Sequence, residues 1–128
     1  MATTRLTEIE IYDDGIGFEF VSPSEALEQL ADAFSGEVLS IEVTPDDGSV
    51  VVVRVADDGL VVICHEGNKV DIVGGRAELD GFARWLRSVV TARPTAPSAI
   101  RYHAHLEHYP GHPWLSAESE PVAVTLSD

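Results

Sequence analysis

The sequence predicts an α+β fold: a largely antiparallel β-sheet with two helices packed on one face, in the order β-α-β-β-β-β-α-β-β. Three observations carry this. Two stretches place apolar residues at helical spacing, seven others alternate or run β-branched, and Asp-Gly and Gly-Asn pairs punctuate the middle of the chain. A chain of 128 residues that is 45% hydrophobic and 23% charged is globular in composition and long enough for one core, so residues 1–128 are expected to form one domain.

The elements follow in order. In "LTEIEIY" (6–12), Thr7, Ile9 and Ile11 alternate with Leu6, Glu8, Glu10 and Tyr12, the period of a strand. "DDGIG" then turns the chain. "SPSE" (22–25) reads as a helix start, with Ser22 as N-cap, Pro23 at the first helical position and Glu25 completing a capping box. Ala26, Leu27, Leu30, Ala31 and Phe34 form the apolar stripe of that helix, and Gly36 supplies its stop. "EVLSIEV", "VVVRV", "LVVIC" and "VDIVG" follow, separated by "PDDG", "ADDG" and "EGNK". Such turns between β-branched runs predict an antiparallel meander. In "RAELDGFARWLRSVV" (76–90), Leu79, Phe82, Ala83, Leu86 and Val90 share a narrow arc. Gly81 weakens this helix by roughly 1 kcal/mol relative to alanine, a cost that packing should override. "ARPTAPSA" (92–99) is a connector, "IRYHAHLEHY" (100–109) alternates as a strand, and "PVAVTL" (121–126) is the last strand.

Charge excludes one class of function. Eight Lys and Arg against 22 Asp and Glu leave −14, which repels nucleic acid phosphates. Residues 1–75 hold 16 of the acids and 3 of the bases, whereas residues 76–128 hold 6 and 5. An acidic surface aids solubility, and it also attracts a basic protein. The turn pairs Asp46 with Asp47 and Asp57 with Asp58 are the candidate steering charges, because hairpin tips are exposed. No apolar run approaches a membrane span, residues 1–20 lack the order of a signal peptide, and the single cysteine, Cys64, sits in "LVVIC" where a buried thiol is expected. These features predict a cytoplasmic protein.

The densest chemistry lies in "HAHLEHYPGHPW" (103–114). On a strand, His103, His105 and Glu107 project to one face with Arg101, and Tyr102, Ala104 and Leu106 to the other. Two imidazoles and a carboxylate at spacing two can ligate a metal, with His112 as a further donor, and a small metal-binding protein or enzyme is the alternative reading. The fixed charge of Arg101 opposes a cation there, and the same pattern also suits a polar strand face. Glu107 orients His105 as a general base in principle, but no nucleophile stands nearby and no serine sits in a Gly-x-Ser-x-Gly elbow. "VGGRAEL" places two glycines before a helix, where free amides can hold an anion, but two glycines are weak evidence and the stretch is read as a strand-to-helix turn. Tyr109 and Trp114 are rigid surfaces of the kind that anchor interfaces, or else lids over the core.

The run "HAHLEHYPGHPWLSAESEPVAV" also resembles the C-terminal signature of a small bacterial immunity-protein family of polymorphic toxin systems. The resemblance runs through His103, His105, Leu106, Glu107, Tyr109, Pro110, His112, Pro113, Trp114 and Leu115, with His108 where an aromatic is expected. It covers about the last quarter of the chain. It implies a non-enzymatic cytosolic protein, without a cofactor or metal, that binds and neutralises a cognate toxin domain, and the acidic charge predicts that this partner is basic. Asp46, Asp47, Asp57, Asp58, His103, His105, Glu107, His112 and Trp114 are then the candidate partner-binding residues. A structural or regulatory domain without chemistry remains the third reading.

Overall fold

The computed structural model describes residues 3–6, 8–13, 17–34, 40–43, 50–67, 69–92 and 102–127. Nine strands and two helices are present among them: β1 (Thr3–Leu6), β2 (Glu10–Asp13), β3 (Phe18–Ser22), α1 (Ser24–Phe34), β4 (Ser40–Val43), β5 (Val50–Ala56), β6 (Val62–Glu66), β7 (Lys69–Gly75), α2 (Arg76–Ala92), β8 (His103–Leu106) and β9 (Val122–Leu126). The class is α+β, as the sequence predicts. The strands divide into two sheets, however, with orders β1-β4-β5-β7-β6 and β2-β3-β9-β8. Four of the seven described pairings are antiparallel and three are parallel.

Three expectations are corrected. The stretch 6–12 is not one strand: the chain pairs with β4 through Leu6, then with β3 from Glu10 onward. From Glu8 to Tyr12 the alternation holds, with Ile9 fully buried and Ile11 packed on the core while Glu8, Glu10 and Tyr12 are exposed. β3 has no counterpart in the predicted order, and Ser22 is its buried last residue rather than a helix N-cap. Its hydroxyl donates to the Pro23 carbonyl at 2.8 Å, while the same carbonyl takes the first helical bond from Leu27 N–H.

The meander is the third correction. β7 lies between β5 and β6, parallel to the first and antiparallel to the second. "EGNK" turns the chain tightly between β6 and β7, with Gly67 at φ 62°, while "PDDG" lies outside the described residues. Residues 57–61 instead step across the width of β7, roughly 10 Å, which five extended residues span easily. Gly59 at φ 114° accommodates the step, and its carbonyl accepts the Gly75 N–H at 2.9 Å.

Helix burial follows the predicted stripes. Ala26, Leu27, Leu30, Ala31 and Phe34 are buried on α1, and Leu79, Phe82, Ala83 and Leu86 on α2; Val90 is half-buried and Val89 takes the deeper place. The helices pack on each other, α2 lies on β7 and β5, and α1 lies on β1. Both therefore serve the five-stranded sheet. Phe34 and Phe82 stack between the helices at 5.0 Å, and Arg87 bonds Asp32 at 2.7 Å across their exposed side. Among the described residues, no helix is long and apolar enough to cross a membrane.

Candidate functional site

The unusual C-terminal segment first serves the fold. β6 is an edge strand, and its outward backbone groups need partners. The connection from β8 to β9 supplies them. Val61 N–H donates to the Trp114 carbonyl at 2.7 Å, and Ser116 N–H returns a bond to the Val61 carbonyl at 2.8 Å. Further along, Ile63 N–H donates to Ser119 Oγ at 3.1 Å, its carbonyl accepts Glu120 N–H at 2.9 Å, and His65 N–H donates to the Glu120 carboxylate. Every second residue of the strand is thus covered by backbone or side chain of 114–120. The same connection reaches the other sheet, where Phe18 N–H donates to the Pro121 carbonyl at 3.3 Å.

Within this connection, His112 organises the turn. Gly111 adopts φ 82°, and His112 N–H donates to the Tyr109 carbonyl at 3.0 Å. The ring Nδ1 then accepts Leu115 N–H at 3.0 Å and Trp114 N–H at 3.3 Å. An acceptor Nδ1 requires the neutral ring with its proton on Nε2. Burial and the neighbouring His108 hold the His112 pKa below its ordinary value, which agrees. Trp114 is placed by this turn against α2. It stacks on Phe82 at 5.6 Å, meets the His112 ring edge-on at 4.8 Å, and lies so close to Gly81 that a β-carbon there would come within 2.7 Å of its Cδ1. Gly81, a weakness when read as helix, is the residue that admits the indole.

Beside Trp114 opens a groove of about 750 Å³. Gly81, Arg84 and Trp85 form its α2 wall, at the i, i+3, i+4 spacing of one helix face. His105, Leu106 and Glu107 line it from β8 and the residue beyond, and Tyr109, His112, Pro113 and Trp114 complete it from the connection. Tyr109 is 55% exposed and is therefore no lid over the core, in contrast to Trp114. Arg84 and Glu107 are exposed, and neither has an ion-pair partner among the described residues.

The candidates read from the sequence separate in space. His105, Glu107, His112 and Trp114 meet in the groove. His103 does not. It stands on the exposed face of the four-stranded sheet, where Nδ1 lies 2.6 Å from Thr125 Oγ1 and the Thr125 hydroxyl donates to Glu19 at 2.5 Å. The His103 and His105 rings touch edge-on at 4.4 Å. β8 has the expected faces: His103, His105 and Glu107 point outward, Leu106 is buried, and Tyr102 and Ala104 are half-buried. Among the described residues no three His, Cys, Asp or Glu side chains gather as a metal-holding group. Asp57 and Asp58 are exposed, although on the crossing segment rather than at a hairpin tip, and Asp46 and Asp47 lie outside the described residues, as does Arg101.

One further expectation changes, and the reading of "VGGRAEL" as a strand-to-helix turn holds. Cys64 is exposed, because the buried positions of β6 are Val61 and Ile63 and the thiol falls on the alternate face. Desolvation, followed by Glu120, Asp71, Glu118 and Glu66, raises its pKa above the ordinary value. The helix start after Gly74 and Gly75 is filled by the chain itself, since a β-carbon on Gly75 would strike the Glu78 carboxylate and the Asp58 backbone. Arg76 is turned away from it, donating to the Phe34 carbonyl at 2.6 Å. Arg84 and Trp85 were absent from the sequence candidates; only their shared helix face with Gly81 could have pointed to them.

No curated protein and no solved structure matches the chain. Residues 69–127, the span that holds β7, α2, β8, the edge-covering connection, β9 and every residue of the groove, match the family model described as Immunity protein 32, so the resemblance to an immunity-protein family extends well upstream of the histidine-rich segment.

Proposed function

We propose that the chain is a non-enzymatic immunity protein, one domain over residues 1–128, that binds and neutralises a toxin domain encoded beside it in the producing cell. The observation that carries this is the family match over 69–127, which includes all ten groove residues. The chemistry supports binding over catalysis. Cys64, the one thiol, is held protonated at neutral pH by its surroundings, and His112 spends its Nδ1 lone pair on backbone amides. No metal or cofactor is required.

The partner is basic and the encounter takes place in the cytoplasm. A charge of −14, concentrated in residues 1–75, accelerates association with a positive surface more than it strengthens the final complex. Exposed Asp57 and Asp58, with Asp46 and Asp47, act as steering charges. His103, His105, Glu107, His112 and Trp114 belong to the contact region.

Co-expression with the neighbouring toxin domain tests the assignment: growth should be rescued and the purified pair should form a stable complex. Neutralising Asp57 and Asp58 to asparagine should slow association and flatten its salt dependence, with smaller change in dissociation. An unaltered association rate would remove steering by these residues. Failure of the intact protein to bind or to protect would remove the immunity assignment.

A further inference from the structure

The two sheets treat their edges differently. The outer edge of β6 is closed by residues 114–120 through the bonds described above. β8 is the last strand of the order β2-β3-β9-β8, and no described segment pairs with its other side. Which of its groups are free follows from the register. Leu126 N–H donates to the Tyr102 carbonyl at 2.9 Å, and Tyr102 lies opposite Leu126 by extension of the His103–Thr125 pairing. Residues 102, 104 and 106 are thus the hydrogen-bonded positions of the ladder. The N–H and C=O groups of His103 and His105 point away from β9, toward the open edge.

That edge adjoins the groove, because His105 and Leu106 also line it. An edge strand facing a helix wall across a groove is the geometry in which an extended peptide adds as a further strand. Main-chain bonds then give affinity, and side-chain pockets give specificity. Here the helix wall is Arg84 and Trp85, with Tyr109 and Trp114 at the far end. Trp, Tyr and Arg are the residue types that dominate interface energetics. Among the described residues, the outer edge of β2 has no such helix wall or groove beside it.

We propose that an extended segment of the toxin adds to the free edge of β8 and lays alternate side chains into the groove beside α2. This rests on the immunity reading and specifies its contact mode. The division of charge suits it: residues 1–75 attract a basic partner, while residues 76–128, with 6 acids and 5 bases, present a nearly neutral anchoring surface. Arg84 pairs with an acidic side chain of the incoming segment, and Glu107 pairs with a basic one.

Amide hydrogen exchange on the intact protein, alone and with the toxin domain encoded beside it, tests the proposal. The His103 and His105 amides should slow by about tenfold or more in the complex, as newly bonded strand amides do. His105→Pro removes an outward N–H without touching the β8–β9 ladder. It should weaken binding about tenfold or more with the free protein still folded, and Arg84→Ala with Trp85→Ala should do the same from the other wall. A complex in which both amides exchange at their free rates, or one that forms with unchanged Kd in these variants, overturns strand addition and leaves the immunity reading intact. If the wild-type protein forms no complex, both fall together.

Discussion

Replacing Gly81 by alanine sets two energies of opposite sign against each other. Helix propensity alone favours the substitution by about 1 kcal/mol. Against it, the new methyl would sit 2.7 Å from Trp114 Cδ1 and 2.8 Å from Cγ. The indole has little room to yield: it stacks on Phe82 at 5.6 Å, Phe82 stacks on Phe34 at 5.0 Å, and the Trp114 carbonyl is bonded to Val61 N–H. Overpacking costs about 1–3 kcal/mol, and loss of an aromatic pair about 0.5–1.5 kcal/mol. The net expectation is destabilisation by about 1–2 kcal/mol. Urea unfolding followed by tryptophan fluorescence and far-ultraviolet dichroism measures it. The same substitution in a Trp114→Ala background should reverse sign and stabilise, since only the propensity gain remains. If Gly81→Ala stabilises the wild-type protein by the full propensity difference, Trp114 does not pack on the helix as described.

Three other outcomes are expected. Phe82→Ala should cost about 3–5 kcal/mol, because the ring is fully buried in a three-ring stack; chemical denaturation reads it. His112 has a folded pKa below 6.5, so the unfolded chain binds the proton more readily. Its contribution is therefore complete above pH 6.5 and lost as pH falls through the folded value; His112→Ala should flatten that slope in thermal scans and cost about 1–3 kcal/mol through the two amides left unpaired. Glu120→Gln should lower the Cys64 pKa and speed its labelling by a disulfide reagent near neutral pH, while remaining folded because the amide oxygen still accepts from His65.

The sequence carried local periodicity well and partner choice poorly. Both helix stripes, the faces of β8 and the α+β class follow from side-chain spacing, which is a property of single elements. The order β5-β7-β6 does not, because "ADDG" has the composition of a hairpin turn whether the chain folds back beside its own strand or steps over another. β3 was missed although Phe18 and Phe20 alternate with Glu19 and Val21; proximity to the helix start at Pro23 hid it. In the groove, the histidine-rich wall was conspicuous by composition. The α2 wall was not, since Arg84 and Trp85 become neighbours of His105 and Glu107 only through tertiary packing.

The parallel pairing of β3 with β9 joins Phe18 to Val122 and Ser22 to Leu126, partners 104 residues apart in the chain. These are the two inner strands of the four-stranded sheet, so β2 and β8 have no common support until β9 is in place. Contacts that close so long a loop form late in folding. During synthesis, the helices and the five-stranded sheet can begin to assemble, but this second sheet must wait for residues 122–126 to leave the ribosome. The β8 edge therefore takes its final form only after β9 has been made, however early β8 itself leaves the ribosome.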